Sequence, residues 1–182
     1  FPSPQEHEVG TTEPINTRSG DMYFDETDIA VPCPGLPLHF GRRYDSLSKE
    51  TNTLGAGWTH SYEWRVYATN SPLPWRVVKA GNGQTYQFRM SADGATGVCY
   101  DNNWRLSVTN DTTTVGLPGG LFYAFDTNGT LTAISNMWGQ KLSCTYMNAA
   151  GTSRLSRVTH DNGQALVLTH TNDRLIQVQA ST

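Results

Sequence analysis

A chain of 182 residues suffices for one domain burying about 70% of its unfolded surface, or for two small units, and one continuous body is expected. Charged residues make up only 16% of it and the formal net charge is -3, which excludes a nucleic-acid footprint of clustered Lys and Arg; the nearest approach, Gly41-Arg42-Arg43-Tyr44, is a single pair. No apolar run approaches the roughly 18 residues that cross a bilayer, so membrane insertion is not expected, and the Thr, Ser, Asn and Gly that fill the gap are common in extracellular β proteins.

Residues 1–14, FPSPQEHEVGTTEP, carry three prolines, several acidic groups and no periodicity. This describes an extended N-terminal arm that cannot build its own core. Such an arm is ordered only when something holds it, and a neighbouring chain is the expected holder. The start at Phe1 rather than Met fits an excised fragment or a processed mature chain. Processing, with an extracellular or cell-surface location, is the expectation.

From Ile15 onward no window keeps apolar residues at i, i+3, i+4 and i+7 over three turns, so the predicted architecture is all-β. In LGAGWTHSYEW, residues 54–64, alternation places Trp58, His60, Tyr62 and Trp64 on one side of a strand and Thr59, Ser61, Glu63 and Arg65 on the other. The first side is aromatic and the second is expected to be wet. Gly55-Ala56-Gly57 lets the chain bend tightly before that strand. Further on, Tyr86, Phe88 and Met90 alternate with Gln87 and Arg89, Leu142, Cys144 and Tyr146 with Ser143 and Thr145, and Leu166 and Leu168 flank Val167. Asn82-Gly83, Asp93-Gly94, Asn128-Gly129 and Asn162-Gly163 are dipeptides that accept positive φ in two-residue hairpins, which predicts an antiparallel meander.

The last third repeats itself. Each unit has a Leu followed three positions later by an apolar residue, as in Leu131/Ile134, Leu155/Val158 and Leu175/Val178, and a Gly-Gln turn follows the first two, Gly139-Gln140 and Gly163-Gln164. A period of roughly 20 to 25 residues predicts an array in which each hairpin buries its face against its neighbours.

INTRSGDMYFDETDIAVP (15–32), GLPLHFGRRYDSLS (35–48) and LGAGWTHSYE (54–63), in that order and spacing, resemble the N-terminal segment of RHS/YD-repeat proteins. FDTNGTLTAI, SRLSRVTHDNGQ and DRLIQV, between Phe122 and Val178, resemble the YD-repeats that follow it, with Phe125-Asp126 the nearest version of the Tyr-Asp pair. The resemblance implies a β-sheet ribbon that spirals into a hollow shell, often secreted or displayed at the bacterial surface and often enclosing a C-terminal toxin. Only two to three repeat units are present, and neither a toxin domain nor a self-cleaving segment. The expected fold is therefore an antiparallel meander of β-hairpins forming a twisted RHS/YD-type sheet that does not close into a cage. Its organisation is an arm over 1–14, an RHS N-terminal-like β region over 15–120 and degenerate YD-repeat hairpins over 121–182.

Candidate chemistry is sparse. Asp21, Asp25, Glu26 and Asp28 are the densest carboxylate cluster, but they lack EF-hand spacing and read as a solvated strand edge, with Glu26 and Asp28 on one face and Asp25 opposite. His7, His39, His60, His160 and His170 show no zinc-like spacing, so no metal or other cofactor is expected. Cys33, Cys99 and Cys144 allow at most one disulfide and read best as buried small hydrophobes. No Gly-x-Ser-x-Gly occurs, and no feature near Cys99 would depress its pKa, so no enzyme is expected. Trp58, Trp64, Trp75, Trp104 and Trp138 suit half-buried strands, while an exposed row including Trp75, Trp104 and Trp138 would stack on sugar rings.

The expected function is that of a non-enzymatic, secreted structural protein whose subunits pair through sheet edges into a filament or shell wall. Phe1, Pro2, Pro4 and Val9 of the arm, and Leu175, Ile176 and Val178 of the last strand, are the expected assembly residues. The alternatives are a fragment of a toxin-encapsulating RHS shell and a carbohydrate-binding surface. Deleting residues 1–14 is expected to weaken an edge-paired assembly under negative-stain microscopy, and unchanged assembly would remove the arm's role. Glycan binding abolished by Trp75→Ala or Trp138→Ala would favour the carbohydrate surface.

Overall fold

Turn residues cut the chain into short strands, and each strand pairs with its neighbour in sequence. The computed structural model describes residues 15–16, 20–68, 74–149 and 152–181, which form sixteen strands and no helix. The first sheet has four strands in chain order: β1 (Ile15–Asn16), β2 (Asp21–Val31), β3 (Leu38–Asp45) and β4 (Trp58–His60). The second has twelve, also in strict chain order. They are β5 (Arg65–Ala68), β6 (Trp75–Lys79), β7 (Thr85–Met90), β8 (Thr96–Cys99), β9 (Trp104–Thr109) and β10 (Thr112–Leu117). The series continues with β11 (Leu121–Phe125), β12 (Leu131–Asn136), β13 (Lys141–Ala149), β14 (Thr152–His160), β15 (Ala165–Thr171) and β16 (Arg174–Ser181). The protein is thus an all-β antiparallel meander without a closed barrel, and the ladder crosses residue 120 unbroken, with β10 paired to β11.

The i, i+3 spacing of the repeats has a physical origin in the pairing register. Ordinary alternation places i and i+2 on one face, so a Leu and an apolar residue three positions later share a face only if an extra residue is inserted. One is inserted in each repeat. Thr132 is skipped between the pairs Phe125↔Leu131 and Ala124↔Ala133, Ser156 between Tyr146↔Leu155 and Thr145↔Arg157, and Ile176 between His170↔Leu175 and Thr169↔Gln177. The bulge therefore recurs one residue after each repeat leucine. Two of the three bulge residues carry a hydroxyl that satisfies a partner-strand carbonyl, with Thr132 Oγ1 donating to Ala124 O at 3.1 Å and Ser156 Oγ to Thr145 O at 3.0 Å.

The turns depart from the two-residue hairpins expected. Around Gly83, Gly129, Gly139 and Gly163 the loops span three residues: Ala80, Asp126, Asn136 and His160 each donate to a backbone oxygen four positions on and accept from the glycine. Only the glycine takes positive φ in these loops, and the side chains of Asn82 and Asn162 accept the N–H two residues ahead, at 3.1 and 3.0 Å. Asp93-Gly94 lies in a four-residue loop between Ser91 and Thr96. The two-residue turn with both central φ positive is Asn172-Asp173, at 48° and 66°.

The LGAGWTHSYEW segment also differs from expectation. β4 ends at His60, the Glu63 N–H donates to His60 O at 2.9 Å, and the chain passes from the small sheet into the large one. The segment is covered on both sides. Tyr62 and Trp64 are 2% and 8% exposed, and Thr59, on the side expected to be wet, is 6% exposed and donates to Gly81 O.

One core joins the two sheets. Leu36, Leu38 and Phe40 of the small sheet and its approach pack in a single cluster with Val78, Phe88, Leu106, Phe125, Leu131, Val158 and Leu166 of the large sheet. The loop before β3 is pinned at its far end, where Cys33 Sγ donates to Gln164 Oε1 and His160 Nε2 lies 3.2 Å from Pro34 O. The large sheet curls around this filling until its first strand meets a later hairpin: Arg65 bridges Thr130, and the Val66 N–H donates to Gly129 O at 2.9 Å. Gly129 is required there, since a Cβ at its φ of 72° would lie 1.9 Å from Val66 O. Gly163 has a comparable φ of 96° with nothing within 4 Å. Gly163→Ala is expected to cost about 1–2 kcal/mol for left-handed strain. Gly129→Ala should cost that plus about 1–3 kcal/mol for overpacking. Urea denaturation measures both, and equal costs would deny the closing contact its role.

Candidate functional site

Three features of the fold bear on function: the outer edge of β16, an aromatic groove and a polar interior cavity.

β16 is the terminal strand of the large sheet. Its side chains do not all serve an interface, because Leu175 and Val178 pack against the core while Ile176, the bulge residue, is 61% exposed. Pairing alternates from the Asn172-Asp173 turn and is reset by the bulge, which leaves the N–H groups of Leu175, Val178 and Ala180 on the outer edge. The first is capped within the chain, donating to Thr53 O at 2.9 Å, and Arg174 Nη1 donates to Asn52 O beside it. Among the described residues no strand lies beyond β16. The arm residues Phe1, Pro2, Pro4 and Val9 lie outside the described residues.

The three tryptophans singled out in the sequence occupy three settings. Trp138 is 74% exposed at the tip of the β12–β13 hairpin, Trp75 is half-buried at the start of β6, and Trp104 belongs to a stack. In that stack Tyr86, Trp104, Trp64 and Tyr123 follow one another at ring-centroid distances of 4.3, 5.9 and 4.0 Å. They line a groove of about 610 Å³ whose opposite wall includes His39, Arg42 and Arg43 of β3. Both arginines are committed: Arg42 pairs with Asp28 at 2.6 Å and sits over Trp58, and Arg43 pairs with Asp25 at 2.9 Å and sits over Tyr23. The hydrogen bond to Asp28 raises the Arg42 pKa above its ordinary value.

Asp25 and Asp28 of β2 are thus partners of arginines, Asp21 accepts from Ser46, and among the described residues no His, Cys, Asp and Glu group is placed to hold a metal. Asp28 does not simply share a face with Glu26, because the register shift between Thr27 and Ile29 makes it the extra residue of a bulge. Cys33, Cys99 and Cys144 are free thiols, and burial pushes the Cys144 thiol up to about 12, which leaves it unreactive at neutral pH.

The cavity, about 420 Å³, lies where the Thr51–Thr53 loop meets β14 and β15. Its floor includes buried His60, Tyr62, Trp64, Arg154 and Leu168, and its exposed rim includes Thr51, Thr152, Ser153 and Asp173. Tyr62 and Trp64 also line the aromatic groove, so they form the wall between the two spaces. Three buried side-chain atoms among the described residues have no hydrogen-bond partner, Tyr62 Oη, Arg154 Nε and His170 Nδ1, and all three residues line this cavity. Leaving such a group unsatisfied costs about 1–3 kcal/mol; Arg154 and His170 bring theirs to this cavity, whereas the Tyr62 hydroxyl lies beside the His39 backbone and Tyr123, on the groove side of the wall.

Its electrostatics are set by burial. Burial pushes His60 down to about 4, helped by the charges of His170 and Lys79. Burial and then Arg154 lower His170 as well. Burial holds Glu63 above the usual carboxylate range, against the opposing pull of Lys79, while Asn52 Nδ2 donates to it at 2.5 Å. Lys79 is ion-paired to Glu50, and Arg154 to Asp173. Neutral imidazoles, a buried guanidinium and phenols make a hydrogen-bonding host, and no cysteine lines it. The sequence shows no spacing that unites residues 51–65, 146–155 and 168–173, so only tertiary structure reveals the cavity.

A family model described as a domain of unknown function (DUF6531) matches residues 12–88. No curated protein matches the chain. The matched segment takes in the small sheet, the crossing at 61–64 and the first strands of the large sheet.

The buried histidines have a consequence for pH. The folded pKa of His60 lies below its unfolded value of 6.5. Between pH 6.5 and about 4 the unfolded chain therefore takes up a proton that the folded chain refuses, and stability falls as pH drops through that window. His170 acts in the same direction and Glu63 in the opposite one. The His60 contribution is on the order of 3 kcal/mol at most. Urea midpoints followed down this pH range should fall for the wild type and fall less for His60→Gln, and parallel curves would show that His60 is not the group responsible.

Proposed function

We propose that this chain is a wall segment of an RHS/YD-type β shell, a non-enzymatic structural protein that extends by strand addition at the outer edge of β16. The observation that carries this reading is the edge itself: beyond the Thr53 cap, the N–H groups of Val178 and Ala180 lie on the side of β16 away from β15, where β2 approaches but no strand among the described residues pairs, at the end of a twelve-stranded meander. A row of donors and acceptors that meets no strand among the described residues is a template for another strand. The repeated bulge supports the same reading, since identical curvature in successive hairpins lets a ribbon continue without changing its packing rule.

The added strand belongs either to a second copy, giving a filament or shell wall, or to further repeats of a longer ribbon, giving a toxin-enclosing shell. A location outside the cell or at its surface goes with either. The carbohydrate-surface reading has less support, because Trp138 stands exposed while Trp75 and Trp104 are half-buried.

The edge can be blocked without touching the core. Ala180→Pro removes an outward N–H, and Ile176→Lys places a charge beside the edge, both at exposed positions. The wild-type chain is expected to sediment as larger species with rising concentration, and each variant to shift towards the single molecule. A wild-type chain that stays solitary at high concentration, or variants that associate as it does, would sink the pairing of copies.

A further inference from the structure

We propose that the interior cavity bordered by Thr51–Thr53, β14 and β15 is a binding site for a small hydroxylated carboxylate. This site is independent of strand pairing at β16.

The chemistry follows from the atoms left unpaired. Arg154 is only 7% exposed, one end of its guanidinium is ion-paired to Asp173, and its Nε–H has no partner. A guanidinium recognises a carboxylate through parallel N–H donors, a geometry that a neutral sugar or alcohol does not match. Asp173 lies on the exposed rim and offsets the Arg154 charge from the solvent side, while the interior holds Arg65 and the Glu63 carboxyl, whose charged form burial disfavours. Burial and then the Arg154 charge lower the pKa of the neighbouring His170. Arg65 adds a second guanidinium to the lining, held by Thr130 Oγ1 at 2.8 Å.

The remaining groups make a hydrogen-bonding lining that suits hydroxyls. Tyr62 Oη can both donate and accept, and the His170 ring nitrogen does one or the other according to its tautomer. Neither makes a hydrogen bond of good geometry, but Tyr62 Oη lies beside the backbone of His39, on the groove side, and His170 beside the backbone of Leu168, so Arg154 Nε–H is the donor left to a guest. The Glu63 carboxyl is engaged by Asn52 and Thr59. Trp64 and Leu168 supply apolar surface for a carbon skeleton. A volume of about 420 Å³ suits an organic molecule. An inorganic anion would leave most of that space unfilled.

The test uses the whole chain and three probe acids, D-glucuronate, D-gluconate and L-lactate, with D-glucose as the neutral comparison. Isothermal titration calorimetry measures affinity, and NMR follows the Arg154 Nε–H signal in the wild type, which needs no folded variant. At least one acid is expected to bind saturably, at least tenfold more tightly than glucose, and to move the Arg154 Nε–H signal. Arg154→Lys keeps the charge but loses the fork, and should weaken that acid tenfold or more. His170→Ala, at a half-buried position, should weaken it several-fold while the β spectrum is retained. The site is refuted if none of the three acids binds, if glucose binds as tightly, or if binding leaves the Arg154 signal in place.

Discussion

One face of a twelve-stranded meander has to be removed from water, and among the described residues a small four-stranded sheet covers it. The large sheet must therefore bend around the small one, and in its last third the repeat leucines must stay in phase with the core as it does so. The repeated bulges meet that need. Each inserts one residue after a repeat leucine, increases local twist, and restores the inward phase so that leucine and its apolar partner both reach the core. The closing contact of Val66 on Gly129 is reached at the first of these bulges, and the later two carry the ribbon on so that Val158 and Leu166 share a core with Leu38 and Phe40.

Wrapping a large sheet over a small one leaves spaces where the two surfaces do not match. Aromatic rings fill much of one, where Trp64, Trp104, Tyr86 and Tyr123 stack, and polar groups line the other. The crossing segment between the sheets forms the wall between them. A chain that changes sheets exposes its backbone to both, so the residues there are held by local partners: His60 O accepts from Glu63, and Glu63 accepts from Asn52. His60 is thereby confined as a neutral imidazole, and Tyr62 as a phenol well above its ordinary titration range by burial. Structural wall and polar host are two consequences of one packing problem.

The Thr51–Thr53 loop connects the two functional readings. Thr53 O caps the first outward amide of β16, and the same loop borders the cavity. Its conformation is fixed by Asn52, whose side chain bonds to Trp58 O and Glu63 and accepts from the Leu54 N–H. An edge with its first donor already satisfied accepts a new strand only beyond that point, towards Val178 and Ala180.

The all-β class, the meander and the hairpin positions were determined by the sequence alone, because alternation and Asn-Gly or Asp-Gly dipeptides act locally: Tyr86, Phe88 and Met90 needed no tertiary information to declare a strand. The Leu-x-x-apolar period was visible too, but its meaning as a bulge was not, since spacing does not say which residue a partner strand leaves unpaired. Turn length was misjudged for the same reason, because the pairing of the flanking strands decides whether two or three residues close a hairpin. Tertiary structure alone decided that β4 ends at His60, that Leu175 and Val178 spend their side chains on the core, and that Arg154 and His170 line one cavity with Tyr62 in its wall. These depend on which surfaces a curved sheet brings face to face, and that contact joins residues far apart in the chain with no local signal to announce it.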